Sequence, residues 1–288
     1  GPWHQAVPNP PTMSVLEDLR GLRGVIVAGR GSEPAVVRPL AEAYGWPVFA
    51  DPLGGCRVPG ATTIAAFDLL VRTPAWAEAH RPEAVVRIGA PPASKALAAW
   101  LREVPIQVVV DPTGTFADPD RGATHVVVGW LAGDDRAPAA PEWLAAWRAA
   151  DDGAQAVLDA ELAEALADPT VARAVVGALP DGTDLVVASS MPVRDVEWFG
   201  GTTAARVLAN RGANGIDGVV STAVGVALAG RPTVALVGDL AFLHDTNALL
   251  GAADRDLSLT VVVVDNDGGA IFSFLPQASA MDTGDFER

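Results

Sequence analysis

The chain has 288 residues, half of them hydrophobic, a formal charge of −15 and a single cysteine, Cys56. That length suits two domains, each burying its own core; the acidic balance excludes a general nucleic-acid binder, which needs a basic footprint, and one cysteine excludes an intrachain disulfide or a multi-cysteine metal site. No run reaches the roughly 18–20 unbroken apolar residues of a membrane span, and no basic leader precedes an apolar core, so a soluble cytoplasmic protein is expected.

Residues 1–11 read as a linker, and the first half then alternates strands with helices. Short β-branched runs predict strands at 24–28, 47–49, 84–88, 106–110 and 125–128, with a helix over 34–44 after Ser32. Such continuous apolar runs indicate a parallel sheet covered on both faces. The turn Gly29-Arg30-Gly31-Ser32 follows the first strand and opens a helix, so it can present free N–H groups to a phosphate, although glycine-rich turns of this kind are common for steric reasons alone. Arg30, Arg57 and Arg87 are candidates for an anionic effector in this domain. Gly, Asp, Pro and Ala between 131 and 141 read as a connector, which places a first domain at 12–140 and a second at 141–288. Trp143, Leu144, Trp147, Leu158, Leu162 and Leu166 predict a helix opening the second domain. A second parallel set follows at 185–188, 205–208, 233–237 and 260–264, and this sheet looks unfinished. The expected fold class is α/β, with two doubly wound parallel-sheet domains.

The chemistry-bearing feature lies at the ends of the last two strands. Gly238-Asp239-Leu240 follows one β-branched run, and Asn266-Asp267-Gly268-Gly269 follows the next, with Asp239 and Asn266 27 positions apart. Neighbouring parallel strands would deliver a carboxylate, an amide oxygen and glycine backbone to one edge. These hard oxygen donors suit Mg²⁺ shared with a diphosphate rather than zinc or iron. Asp239, Asn266 and the carbonyl of Gly268 would be the protein ligands, with two diphosphate oxygens and a water completing an octahedron. Gly269 would let the backbone come close. A helix from Leu240, with Phe242, Leu243, Leu249 and Leu250 on its apolar face, would aim its N-terminus at the diphosphate. Asp239 taken alone reads better as the N-cap of a helix, and it is Asn266 with the paired glycines at a matching strand end that favours the metal.

These residues resemble the diphosphate-anchoring motif of thiamine-diphosphate enzymes. At greater length the segments 190–195, 210–218 with 221–223, 238–245 and 266–276 resemble the 2-succinyl-5-enolpyruvyl-6-hydroxy-3-cyclohexene-1-carboxylate synthases of menaquinone biosynthesis. The resemblance implies thiamine diphosphate with Mg²⁺, or Mn²⁺ in its place. It implies decarboxylation of 2-oxoglutarate and transfer of the succinyl unit to isochorismate. Ser190, Arg194 and Arg211 are then expected to contact substrate carboxylates, and Ile271, Phe272 and Leu275 to form an apolar wall beside the reacting centre. Ile216 would be the wedge that bends the cofactor, and Gly238 and Leu240 would flank its diphosphate. It further implies a homodimer or homotetramer whose activating Glu lies on a pyrimidine-binding domain that nothing in these 288 residues resembles. The chain is therefore expected to be a fragment without turnover of its own. Two alternatives stay open at this level: another thiamine-diphosphate carboligase or decarboxylase of the acetolactate-synthase type, or a non-catalytic nucleotide-binding module.

Overall fold

The computed structural model describes residues 18–112, 114, 118–129, 131, 138–164, 166–210 and 215–275. The expected linker over 1–11, the candidate Arg211 and the residues after 275 lie outside this set. The chain divides into two compact units, residues 1–163 with 201–204, and residues 164–200 with 205–288. Among the described residues no helix is long and apolar enough to cross a membrane.

In the first unit, strands β1 (Gly24–Ala28), β2 (Val48–Ala50), β3 (Ala84–Ile88), β4 (Ile106–Val110) and β5 (His125–Val127) form an all-parallel sheet in the order β2-β1-β3-β4-β5. Every residue of β1 is buried, which is why it reads as an unbroken apolar run rather than an alternating one. Helices α1 (Pro34–Tyr44), α2 (Phe67–Val71), α3 (Pro74–Ala79), α4 (Lys95–Leu101) and α5 (Pro141–Leu162) accompany these strands. Helix α5 corrects the expected boundary at 141. Its Trp143 and Trp147 insert into this unit's core, with Trp147 edge-on to Phe49 at 5.0 Å between ring centroids. A long helix of this kind belongs to whichever core takes its large aromatics, and here that is the first.

Two further expectations for this unit are corrected. The Gly29–Ser32 turn does not present an open cradle. The Gly29 N–H donates to Ile88 and the Ser32 N–H to Gly29, while a Cβ at Gly29 would sit 1.6 Å from the Ala90 carbonyl oxygen. Its glycine answers to the close approach of the neighbouring strand end. Nor is Arg57 available to an effector, and Arg87 already has an anionic partner. The buried Arg57 guanidinium donates to the carbonyls of Ala50, Ala65 and Gly201, and Arg87 is paired with Asp118 at 2.7 Å.

In the second unit, β6 (Asp184–Val187), β7 (Arg206–Leu208), β8 (Thr233–Gly238) and β9 (Leu259–Val264) form a parallel sheet in the order β7-β6-β8-β9. Its helices are α6 (Asp168–Ala178), α7 (Met191–Phe199), α8 (Val219–Leu228) and α9 (Asp239–His244). Val186, Ala235 and Val237 of the strands pack with Val219 and Ala223 of α8. The strand order turns back between β6 and β8, and ligands of open α/β sheets bind outside the carboxyl ends of strands at such a point. Strand β9 pairs only with β8 among the described residues, and none of its residues is fully buried. Helix α9 is shorter than expected. It ends at His244, and Leu243 and Leu250 are largely exposed, so they form no buried face.

Candidate cofactor and metal site

Strands β8 and β9 run side by side in register, with Val237 opposite Val263 and Gly238 opposite Val264. The next residue on β8 is Asp239, and two residues past the end of β9 is Asn266. Both side chains are therefore delivered to adjacent strand ends. The backbone then turns sharply, because Asp267, Gly268 and Gly269 all take positive φ, at 66°, 87° and 69°. Only glycine adopts this region without cost, and Asp tolerates it better than most residues. The turn is pinned where the Asp267 N–H donates to the Asp265 carboxylate. It folds back far enough that a Cβ on Gly268 would lie 3.9 Å from Oδ2 of Asp239.

One atom tests whether these residues fit a metal ion. The Asn266 Nδ2 donates to Oδ2 of Asp168 at 2.7 Å, while Asn266 Oδ1 is buried with no hydrogen-bond partner among the described residues. A buried acceptor left unmade costs about 1–3 kcal/mol, so this oxygen is prepared for a partner that the described residues do not supply. A carboxylate at Asp239, a neutral amide oxygen at Asn266 and nearby glycine backbone make an all-oxygen donor set, which fits Mg²⁺ or Mn²⁺. Among the described residues no group of three or more His, Cys, Asp or Glu could hold a metal.

A cavity of about 140 Å³ opens at this edge. Its walls include Ser190, Ile216, Gly238, Asp239, Leu240, Asn266, Gly269, Ile271 and Phe272, all expected from the sequence. That volume is below the roughly 300–1,000 Å³ that encloses a whole drug-sized ligand, so these walls suit part of a cofactor.

Comparison with known families matches the model described as "middle domain of thiamine pyrophosphate" to residues 2–187. A second model, described as "thiamine pyrophosphate enzyme, C-terminal TPP binding domain", matches residues 199–283. The chain belongs to the thiamine pyrophosphate enzyme family. Its cofactor is accordingly thiamine diphosphate, and Asp239, Asn266 and the Gly268 turn fall within the matched cofactor-binding domain. Curated relatives in this family carry the name 2-succinyl-5-enolpyruvyl-6-hydroxy-3-cyclohexene-1-carboxylate synthase. That of Myxococcus xanthus is 41% identical over 96% of this chain, that of Saccharopolyspora erythraea 39% over 99%, and one from Listeria monocytogenes 36% over 96%. These alignments cover 51%, 52% and 51% of the relatives, so the chain spans about half the length of the curated relatives it matches.

For a thiamine pyrophosphate enzyme the remaining candidates divide. Ser190 lines the cavity at the start of α7, and its side chain makes no capping bond to that helix. Arg194 is not among the cavity-lining residues; its Nη1 donates to the Ser190 carbonyl at 2.6 Å. Leu275 is 45% exposed and also lies off the cavity wall. Two acidic residues lining the cavity were given no role from the sequence, Asp168 and Asp195. Asp168 stands in the helix-opening pair Asp168-Pro169 and gives no local sign of its contact with Asn266, 98 positions away.

Asp195 is 3% exposed, and its Oδ1 has no hydrogen-bond partner. Burial first, and then the charge of Asp168, push its carboxyl up to about 7 against the pull of Arg194. A carboxyl raised in the folded state binds protons more tightly there than in the unfolded chain. Its contribution to stability is therefore full below the unfolded value of 3.8 and is lost as pH rises through about 7. Asp195→Asn, which cannot ionise, is expected to melt above the wild type near pH 8 by a few degrees or more, with the gap closing toward about pH 4. Thermal melts across that range check this, and a pH-independent gap would refute it.

Proposed function

We propose that this chain forms the metal- and diphosphate-anchoring part of a synthase that decarboxylates 2-oxoglutarate and joins the succinyl unit to isochorismate in menaquinone biosynthesis. The observation that carries the reading is the buried, unpartnered Oδ1 of Asn266 beside Asp239 at matched strand ends. The printed names of the relatives support the choice of substrates. When bound, thiamine diphosphate would supply the nucleophilic carbon and the electron sink that loss of CO₂ from a 2-oxo acid requires.

The protein's own groups bind and orient. Asp239, Asn266 and the Gly268 carbonyl hold the ion that neutralises the diphosphate, and Gly238, Leu240 and Gly269 shape the backbone around it. Ile216, packed on the core at the cavity wall, is the wedge under the cofactor. Ile271 and Phe272 wall the reacting centre, and Leu275 is assigned to the same wall from its sequence alone. Both substrates are anions in an acidic protein, so they need guanidinium groups that bind carboxylates through two parallel hydrogen bonds. Arg194 serves this role by leaving the Ser190 carbonyl and turning toward the substrate beside the Ser190 hydroxyl. Arg211 is assigned the same role from its sequence alone. The working protein is a cytoplasmic homodimer or homotetramer whose activating Glu is supplied from outside these 288 residues.

The test compares 2-oxoglutarate with pyruvate as donor, using the protein at the length of its relatives and isochorismate as acceptor. Turnover is expected with 2-oxoglutarate, and Arg194→Ala should raise its KM by about 10–100-fold, as loss of a charge-assisted pair does. Preferential use of pyruvate would instead establish a carboligase of the acetolactate-synthase type.

A further inference from the structure

We infer that Asp168 is a positioning residue, which decides which end of the Asn266 side chain faces the metal. The inference rests on the metal reading above and names a part of the site that lies outside the ligand set. The two ends of a carboxamide are nearly the same size, and only their hydrogen-bonding partners distinguish them. An asparagine is useful to Mg²⁺ only through its oxygen; turned by half a rotation it presents N–H groups to a cation. Asp168 removes that choice. An ionised carboxylate only accepts hydrogen bonds, so the group placed 2.7 Å from its Oδ2 is the Asn266 NH₂, and the oxygen is turned the other way. That oxygen is the one left buried and unpartnered.

Asp168 has no better claim on its own carboxylate. It is the first residue of α6, where an acid commonly does no more than offset the helix dipole. Here its Oδ2 reaches a residue beyond the last strand instead, which ties the start of α6 to the turn after β9. The bond to an anion also draws electron density toward the amide oxygen, strengthening it as a ligand. Asp168 thus stands to Asn266 as an outer carboxylate stands to a metal-bound histidine, and loss of such partners typically costs about 10–100-fold in metal affinity.

The experiment measures Mn²⁺ bound to the 288-residue chain in the presence of inorganic pyrophosphate, by the electron paramagnetic resonance signal of free Mn²⁺. Asp168→Ala is expected to weaken binding by about 10–100-fold. Asp168→Asn keeps an oxygen that can accept from Asn266 but also offers N–H donors, so it fixes the orientation less firmly and should bind between the wild type and Asp168→Ala. In an Asn266→Ala background the Asp168→Ala change should have no further effect, because the group it orients is gone. A role in helix stability alone would lower the melting temperature of both Asp168 variants and leave Mn²⁺ affinity untouched. The inference is overturned if Asp168→Ala binds as the wild type does while Asp239→Ala does not, or if the two losses simply add in the double variant. Equal binding by the wild type and Asp239→Ala would remove the metal reading itself, and Asp168's role with it.

Discussion

Asp239→Ala should abolish the Mg²⁺-dependent binding of thiamine diphosphate. The expected loss exceeds about 100-fold, because even partners outside the ligand shell cost 10–100-fold and Asp239 is the anionic ligand itself. Calorimetric titration of wild type and variant with thiamine diphosphate, with and without Mg²⁺, reads this directly. Chelation of the metal should bring the wild type down to the level of the variant. Asp239 also opens the six-residue helix α9, so the substitution could act through that helix instead. The two roles separate cleanly. Loss of a helix-opening acid costs on the order of 0.3–1 kcal/mol of stability and leaves ligand affinity alone. Equal affinities for the two proteins would leave the carboxylate no metal to hold.

The largest effect on stability is expected at the opposite end of the same sheet. Asp184 is completely buried at the start of β6 and accepts hydrogen bonds from Arg206 at the start of β7 and from Arg231, two residues before β8. One carboxylate thus fastens the amino ends of three adjacent strands. Replacing both arginines by alanine leaves that charge buried without a partner, at a cost of about 3–5 kcal/mol. Asp184→Ala should cost less, because Arg206 and Arg231 are 56% and 46% exposed and can turn to water. Urea unfolding of the three proteins measures the order. If Asp184→Ala proves the more damaging change, packing at Asp184 outweighs its charge.

Much of the second unit could be read from the sequence because its signals are local. The runs of Val and Leu at 185–188, 233–237 and 260–264 mark β6, β8 and β9 to within one residue. Once two such strands are adjacent and parallel, the residues just past their ends must meet, which is why Asp239 and Asn266 were visible as a pair. What failed was whatever depends on distant packing. The leucines after Asp239 have helical spacing, but among the described residues nothing covers Leu243 or Leu250, and the helix stops at His244. Helix α5 shows its Trp and Leu periodicity plainly, yet periodicity does not say which core receives Trp147. The Gly29–Ser32 turn has a phosphate-binding pattern, but its glycine is needed for the approach of Ala90. Asp168 had no signature at all, and Asp195 stood out only as the end of a family segment, since each matters through a neighbour that only folding brings near.

Strand β9 pairs with β8 along its whole length, and the two side chains proposed to hold the ion lie just past the ends of these two strands. An ion gripped by both therefore acts as a clasp across the seam, and the free energy that retains it also keeps the strand docked. Starved of its vitamin, such a sheet loses the clasp between two of its strands, so cofactor supply also governs how long the fold survives.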